Sequence, residues 1–357
     1  MEELFEMMHS HLELKLPFVL FSKPGKRYVT GLFQENDILH FVHTFQERGF
    51  VFAPFSSNQI VLFPEEQQKV MIAEFTLEKK TQQSNVFYEI DDEAKVSFEN
   101  LVSRAISEIS IGNFQKVVLS RKETLDLNGF EVQSVFERML QAYPSAFKYC
   151  FYHPKVGMWM GASPEQLLKV TNSELQTVAL AGTKVDKGKE NVNWKDKEKK
   201  EQQFVTDFIV ENLKKHVAET AVSEPYTVQA GSLLHIKTDI SAKLPEATNV
   251  LQSVLEILHP TPAVCGYPKQ KAKDFILANE GYNREYYAGF FGEFNMNFIS
   301  KKGNYADLFV NLRCMKVEPS ENKAHLYIGC GITEESNPSK EFLETVNKSM
   351  TIKKILN

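Results

Sequence analysis

Apolar positions recur at two periods along this chain, and the switches between them mark its elements. Four short runs, LPFVLF (16–21), YVTGLF (28–33), FVFAPF (50–55) and IVLF (60–63), are broken by Pro, Gly, Asn and Ser and predict strands in the first 85 residues or so. Beyond Asp92 the period lengthens. Phe98, Leu101, Val102, Ala105 and Ile109 fall on one helical face, with Asp91 or Asp92 placed to cap it. The strand QKVVLSRKETL follows, and others are predicted at FKYCFYH, GMWMGA, QLLKV, LQTVALAG and LLHIKTDISAKL. YYAGFFGEFNM, ADLFVNLRCMKV and AHLYIGCGI, separated by turn-rich segments, predict a closing antiparallel meander. Helices are predicted over 198–216, 247–258, 268–278 and 338–355. Strands cluster and helices do not alternate strictly with them, so the pattern predicts an α+β fold with large antiparallel sheets. No repeat or linker divides it: 1–357 reads as one unit, strand-rich over 1–85 and motif-bearing over 94–357.

Composition narrows the function classes. Hydrophobic residues make up 43% of the 357 positions, with 27 Phe, which is ample for a core. The net charge is -5, and the densest basic stretch, 184–200, is interleaved with Asp186, Glu190, Asp196 and Glu198, a solvated loop rather than a phosphate-tracking surface. No nucleic-acid role is expected. No apolar run approaches the ~20 residues that span a bilayer. Glu2, Glu3 and Glu6 stand where a signal peptide carries positive charge, so a cytoplasmic location without membrane attachment is expected. Cys150, Cys265, Cys314 and Cys330 form no C-x-x-C pair and read as packing residues.

Several polar side chains sit where the apolar pattern does not want them. Glu201 shares a helical stripe with Phe204, Val205, Phe208 and Ile209; it either complements the dipole of a first turn or faces inward, where it needs a cation. Glu344 and Lys348, four apart on a helix opened by Asn337 and Pro338, form a surface ion pair or meet Glu201 across a cleft to hold a hard divalent ion. Lys116 shares a strand face with Val118 and Ser120; it lies in solvent or is desolvated enough to act as a base. Glu165 follows a Gly-Ala-Ser-Pro turn, which suits a general acid and equally a strand-end charge. Arg313, inside an apolar run, wants a planar carboxylate, from the protein or from a ligand. Gly182 in LAGTK, and Gly329 and Gly331 in GCGIT, offer backbone N–H groups to an anion or simply form tight turns.

In this order, FQKVVLSR, GASPEQLL, LAGTK, KEKKEQQFV, HPTPAVCGYP, REYYAGFFG, FVNLRC, IGCGI and EFLETVNK resemble the chorismate-utilising enzymes, the family of isochorismate, salicylate, anthranilate and aminodeoxychorismate synthases. The resemblance covers roughly three quarters of the chain and implies the anthranilate synthase component I-like fold, with large antiparallel sheets packed together and flanked by helices. It also implies roles. Lys116 would activate the water that attacks C2 of chorismate, and Glu165 would protonate the departing C4 hydroxyl. Glu201 and Glu344 would hold Mg2+. Arg313, Lys348, Tyr287 and the backbone near Gly329 would position the substrate's carboxylates, with Gly182 and Thr183 lining the same pocket and His259 and Ala263 also binding substrate.

Subfamily follows from a few positions. Aminodeoxychorismate synthases with a nucleophilic lysine are similar in reading P-I-K-G-T where Ala181 stands here before Gly182, and anthranilate synthases generally lack a lysine at the position of Lys116. Water is therefore the expected attacker. His259, Ala263 and Val264 lean toward isochorismate as the final product rather than salicylate with pyruvate; isochorismate would feed menaquinone or siderophore synthesis, and which of these depends on neighbouring enzymes. The alternatives are a salicylate synthase and an inactive chorismate-binding protein. No glutaminase partner is expected, and the chain would act as a monomer or homodimer. One departure stands out: the family commonly reads Glu-His where this chain has Glu201 and Gln202, which bears on magnesium affinity or pH dependence.

Overall fold

The Asp91 carboxylate accepts from the Ala94 N–H at 3.0 Å and starts the first long helix where the sequence places it. In the computed structural model, residues 1–78, 90–185, 188, 192–217, 219–230, 233–245 and 250–356 are described. The chain opens with α1 (Glu2–Glu13), then β1 (Phe18–Ser22), β2 (Tyr28–Gln34), β3 (His40–Phe41), β4 (Gly49–Ala53), β5 (Val61–Pro64) and β6 (Gln68–Glu74). Next come α2 (Asp92–Ser110), β7 (Lys116–Asp126), α3 (Val132–Ala142), β8 (Phe147–His153), β9 (Gly157–Ser163), β10 (Gln166–Thr171) and β11 (Glu174–Val185). Then α4 (Asp196–Leu213) precedes β12 (Thr220–Val222), β13 (Tyr226–Ala230), β14 (Leu233–Lys243), α5 (Val250–Leu258), β15 (Gly266–Tyr267) and α6 (Lys269–Asn279). The chain closes with β16 (Phe290–Phe294), β17 (Tyr305–Val310), β18 (Cys314–Glu318), β19 (Lys323–Ile332) and α7 (Pro338–Leu356).

These strands form two antiparallel sheets. One runs β15-β7-β19-β18-β9-β8-β1-β2-β6; the other runs β12-β14-β11-β10-β17-β16-β4-β5-β3, with β13 also paired to β14. Aromatic side chains fill the space between them: Phe147 and Tyr149 of β8 lie 5.0 and 4.4 Å from Phe291 of β16, and Phe151 stacks on Phe52 of β4 at 4.3 Å. Each such ring contributes roughly 1.5–3 kcal/mol on burial, so the inter-sheet layer carries much of the stability. A second cluster, with Leu4, Phe5 and Met8 of α1 and Val135, Phe136 and Met139 of α3, covers the outer face of β1, β8 and β9. Lys23, just after β1 and 7% exposed, binds Glu293 of β16 and Asp307 of β17 and so ties the two sheets together. The four cysteines are buried and free.

Four expectations need correction. The first residues include a helix, α1, whose buried positions Leu4, Phe5, Met8 and His11 follow a helical period that a histidine and flanking glutamates disguise. α3 also lies where no element is predicted, although Val132, Val135, Phe136, Met139 and Leu140 carry the period plainly. The run ADLFVNLRCMKV is two strands in different sheets, β17 and β18, so the closing segments do not form one meander: β16 pairs with β17, and β18 with β19. Phe204, expected on the buried stripe of α4, is 41% exposed and faces Tyr267. The predicted start of α5 at Ala247 lies outside the described residues, as do 186, 187 and 189–191 of the 184–200 stretch, whose ends belong to β11 and α4.

The break in ADLFVNLRCMKV has a counterpart. β9 belongs to the first sheet and β10 to the second, and the chain changes sheets at Pro164 and Glu165. β17 and β18 change sheets beside it, through Asn311 to Arg313. Val310 N donates to Glu165 O at 2.9 Å, Ala162 N to Arg313 O at 3.1 Å, and Ser163 Oγ to Val310 O at 2.5 Å. Two antiparallel segments thus bend together from one sheet into the other, with Glu165 and Arg313 at the bend.

Candidate active site

Lys116 is the first residue of β7, a strand whose outer edge is closed by β15 and by side chains. Gln115 N bonds Tyr267 O at 2.7 Å, Val118 N bonds Cys265 O at 2.8 Å, and Ser120 N bonds Glu280 Oε1 at 2.7 Å. Arg284, 3% exposed, donates to Val118 O at 2.7 Å, to Val264 O at 3.0 Å and to Glu280. The strand is held from both sides, so Lys116 has a defined direction. It is 4% exposed, and its Nζ lies 2.7 Å from Glu201 Oε1. The solvent-facing alternative for Lys116 is excluded.

α4 begins at Asp196, so Glu201 stands beyond the first turn and does not serve the helix dipole there. Its neighbour Gln202 is 2% exposed and donates to Thr206 Oγ1 at 2.8 Å and Thr238 Oγ1 at 2.7 Å. Gln202 therefore fastens α4 to β14 and sends Glu201 toward Lys116. Where the family commonly has histidine, the glutamine uses both amide hydrogens structurally.

Glu165 and Arg313 occupy the bend between the sheets. Burial pushes the Glu165 carboxyl up to about 7, against the pull of Lys116, Arg313 and Lys348. Burial likewise draws the Arg313 guanidinium below its ordinary value, opposed by Tyr287, Glu344 and Glu165. No carboxylate lies within ion-pair distance of Arg313 among the described residues, so it is not committed to a structural salt bridge. Its backbone is left-handed, φ +49°, which is uncommon for a residue with a Cβ and belongs to the turn between sheets rather than to a strand.

α7 supplies the other wall. Asn337 caps it through Lys340 N at 3.1 Å, and Pro338 is its first residue. Lys348 Nζ lies 2.6 Å from Glu344 Oε1 and donates to Gly329 O at 3.0 Å. Burial opposes ionisation of Glu344, but Lys348, with Arg313 and His235, holds its carboxyl below the usual range. The ion pair expected at a surface is thus real, and it faces the groups of the bend.

Close approach accounts for the glycines. A Cβ at Gly329 would lie 2.6 Å from Tyr287 Oη and 2.9 Å from Leu119 O, and one at Gly331 would lie 3.3 Å from Glu201 Oε1. Gly182 forms a bulge in β11 at φ +70°, and its carbonyl accepts from His235 Nδ1 at 3.1 Å. Burial draws His235 down to about 4, a neutral ring near Lys348, Arg313 and Glu344. Nothing in the sequence pattern marks His235, because it reads as an ordinary strand position. Glu198 and Glu341, three residues before Glu201 and Glu344, could have been singled out by that spacing. Glu198 packs against Gly182.

Three candidates stand differently. His259 points its Nε2 at Pro54 O, 3.0 Å away, and lies edge-on to Phe290; burial holds its ring down to about 3. These contacts join the 259–265 turn to the end of β4, and none reaches the charged pairs. Ala263 is half-buried in the turn whose Cys265 carbonyl bonds β7. The Thr183 side chain lies outside the described residues.

The arrangement offers a lysine, a carboxyl poised near neutrality, an uncommitted arginine and two carboxylates paired to lysines. Among the described residues no three His, Cys, Asp or Glu side chains form a ready metal cage. Glu201 and Glu344 are of the donor type that magnesium takes, one or two protein carboxylates with water and substrate oxygens completing its shell.

The profile of the chorismate binding enzyme family matches residues 55–357. The chain belongs to that family. A relative from Pseudomonas aeruginosa, a salicylate biosynthesis isochorismate synthase, is 31% identical over 268 residues, 72% of this chain and 54% of the relative. The chain therefore spans about half the length of that relative. Among solved structures, MenF, the menaquinone-specific isochorismate synthase of Escherichia coli, superposes with a TM-score of 0.77 at 20% identity, covering 96% of this chain and 89% of that one. Anthranilate synthase component I from Streptococcus pneumoniae gives 0.65 at 18% identity, over 94% and 92%. The fold is the one expected, anthranilate synthase component I-like. No described helix is long and apolar enough to cross a membrane.

Proposed function

We propose that this chain is an isochorismate synthase: water adds at C2 of chorismate, the ring double bonds shift, and the C4 hydroxyl leaves as water, reversibly. The observation that carries the reading is the pairing of a buried lysine, Lys116, with a carboxyl pushed up to about 7, Glu165, in one electrostatically linked cluster. A base and an acid are what this exchange needs. Lys116 takes a proton from the attacking water, and Glu165 gives one to the departing hydroxyl. Arg313, with no carboxylate at ion-pair distance among the described residues, is suited to a substrate carboxylate, with the Tyr287 hydroxyl beside Gly329. Glu201 and Glu344 would hold Mg2+, which when bound offsets the negative charge of the substrate. Two relatives described above carry the name isochorismate synthase, which supports the same reading.

The test is incubation of the purified chain with chorismate, with and without Mg2+ and with ammonia in a parallel tube, products being identified by chromatography and NMR. Isochorismate without pyruvate is expected, only when Mg2+ is present. Salicylate with pyruvate, or a product formed only with ammonia, would overturn the reading. Lys116→Gln and Glu165→Gln should each lower kcat by ~10^2–10^4 with little change in KM.

A further inference from the structure

Arg121 ends the KVVLSR run, and none of the chemistry above falls to it. It lies on the face of β7 opposite Lys116, and its side chain reaches α7. Its Nε donates to Thr345 Oγ1 at 2.7 Å, its guanidinium lies 5.2 Å from the Phe342 ring centroid, and its Nη1 is 3.0 Å from Glu123 Oε2. The other oxygen of Glu123 pairs with Lys353. Thr345 and Lys353 are 0% and 5% exposed, so both contacts are made beneath the helix rather than on its surface.

The two anchor points, Thr345 and Lys353, are eight residues apart, about 12 Å of helix. The far half of α7 is tied also by Tyr143 Oη to Thr351 O and Arg138 Nε to Ile355 O, so the Arg121 bond to Thr345 is the tie made at the residue next to Glu344 and bears on the roll of the near half. Thr345 is the residue next to Glu344, so an error in roll or axial position there is passed directly to that carboxylate. Stability alone is a weak reason for the arrangement, because buried ion pairs are often no better than apolar replacements of the same size. Geometry is the stronger reason.

We infer that Arg121, acting through Thr345, Glu123 and Lys353, is a positioning residue that sets the roll of α7 at Thr345 and so aims Glu344 at the magnesium position. The inference rests on the assignment of Glu344 under the proposed function. Calorimetric titration of the full chain with MgCl2, with and without chorismate, tests it in wild type, Arg121→Met, Glu344→Gln and the double variant, with thermal melts recorded alongside. Arg121→Met and Glu344→Gln should each weaken Mg2+ binding tenfold or more, and the double variant should bind within twofold of Glu344→Gln alone. Arg121→Lys should recover only part of the loss, since it keeps the charge without the fork. Wild-type Mg2+ affinity in Arg121→Met alongside weak binding in Glu344→Gln would overturn the inference and leave the metal assignment standing, as would additive losses in the double variant. Wild-type affinity in Glu344→Gln would overturn both. Should Arg121→Met fail to fold, Glu123→Gln and Lys353→Met give the same cycle from the far anchor.

Discussion

Glu165 is the residue at which location and chemistry meet most directly. Burial lifts its carboxyl from the ordinary 4.5 to about 7, so the folded protein holds this proton more tightly than the unfolded chain does. Its contribution to stability therefore falls as pH rises from about 4.5 to about 7 and is level above. Glu165→Gln, which cannot ionise, should gain on wild type across that window, by up to ~2–3 kcal/mol less a discount for partial solvent access. Urea midpoints at pH 5 and pH 8 would show it; an unchanged gap would contradict it. Lys148 is the opposite case. It is 0% exposed, its Nζ has no hydrogen-bond partner among the described residues, and burial alone draws its amine down to about 8. The destabilisation is full below about 8 and is relieved as pH rises toward 10.5, so Lys148→Met should stabilise the protein by ~1–3 kcal/mol at pH 7 and by less at pH 10. Equal gains at both pH values would refute this. Single residues were only partly legible in the sequence. Lys116 and Glu201 stood out as polar groups on patterned faces, whereas the role of Lys148 depends on which face of β8 a helix covers, and spacing does not contain that.

At the scale of elements, α4 shows how a helix is oriented by one amide. Gln202 donates to two threonine hydroxyls on two elements, so Gln202→Leu should leave Thr238 without that donor, while Thr206 keeps its bond to the residue 202 carbonyl, and cost ~1–3 kcal/mol, read as a lower urea midpoint. A stability within 0.5 kcal/mol or so of wild type would show that Thr238 finds another partner. α2 and α7 were legible because cap, first residue and apolar period agree. The crossing of β17 into β18 was not. An apolar run with period two looks the same whether it stays in one sheet or leaves it, and the positive φ of Arg313 is not written in an arginine. The consequence for the site is large, since that crossing brings Arg313 beside Glu165.

For the whole molecule, Lys23 is the most informative polar contact, because it joins the end of β1 in one sheet to β16 and β17 in the other. Lys23→Met leaves Glu293 and Asp307 buried without their cation and should cost ~3–5 kcal/mol, seen in thermal and urea unfolding. A loss below about 1 kcal/mol would mean that water or a neighbour replaces the ammonium. The α+β class with large antiparallel sheets was readable from clustered strands, and the family from its motifs. Which strands share a sheet was not, since pairing joins segments far apart in the chain.

That distance has a consequence during synthesis. Ala53 in β4 pairs with Phe290 in β16, and at about 5–20 residues per second the ribosome needs roughly 12–50 s to deliver the partner. Until then Phe50, Val51 and Phe52 are paired by β5 on one edge and leave the other edge of an apolar strand open, the kind of edge that aggregates or recruits a chaperone. The yield of soluble protein should therefore depend on how that early strand is sheltered while the later ones are still being made.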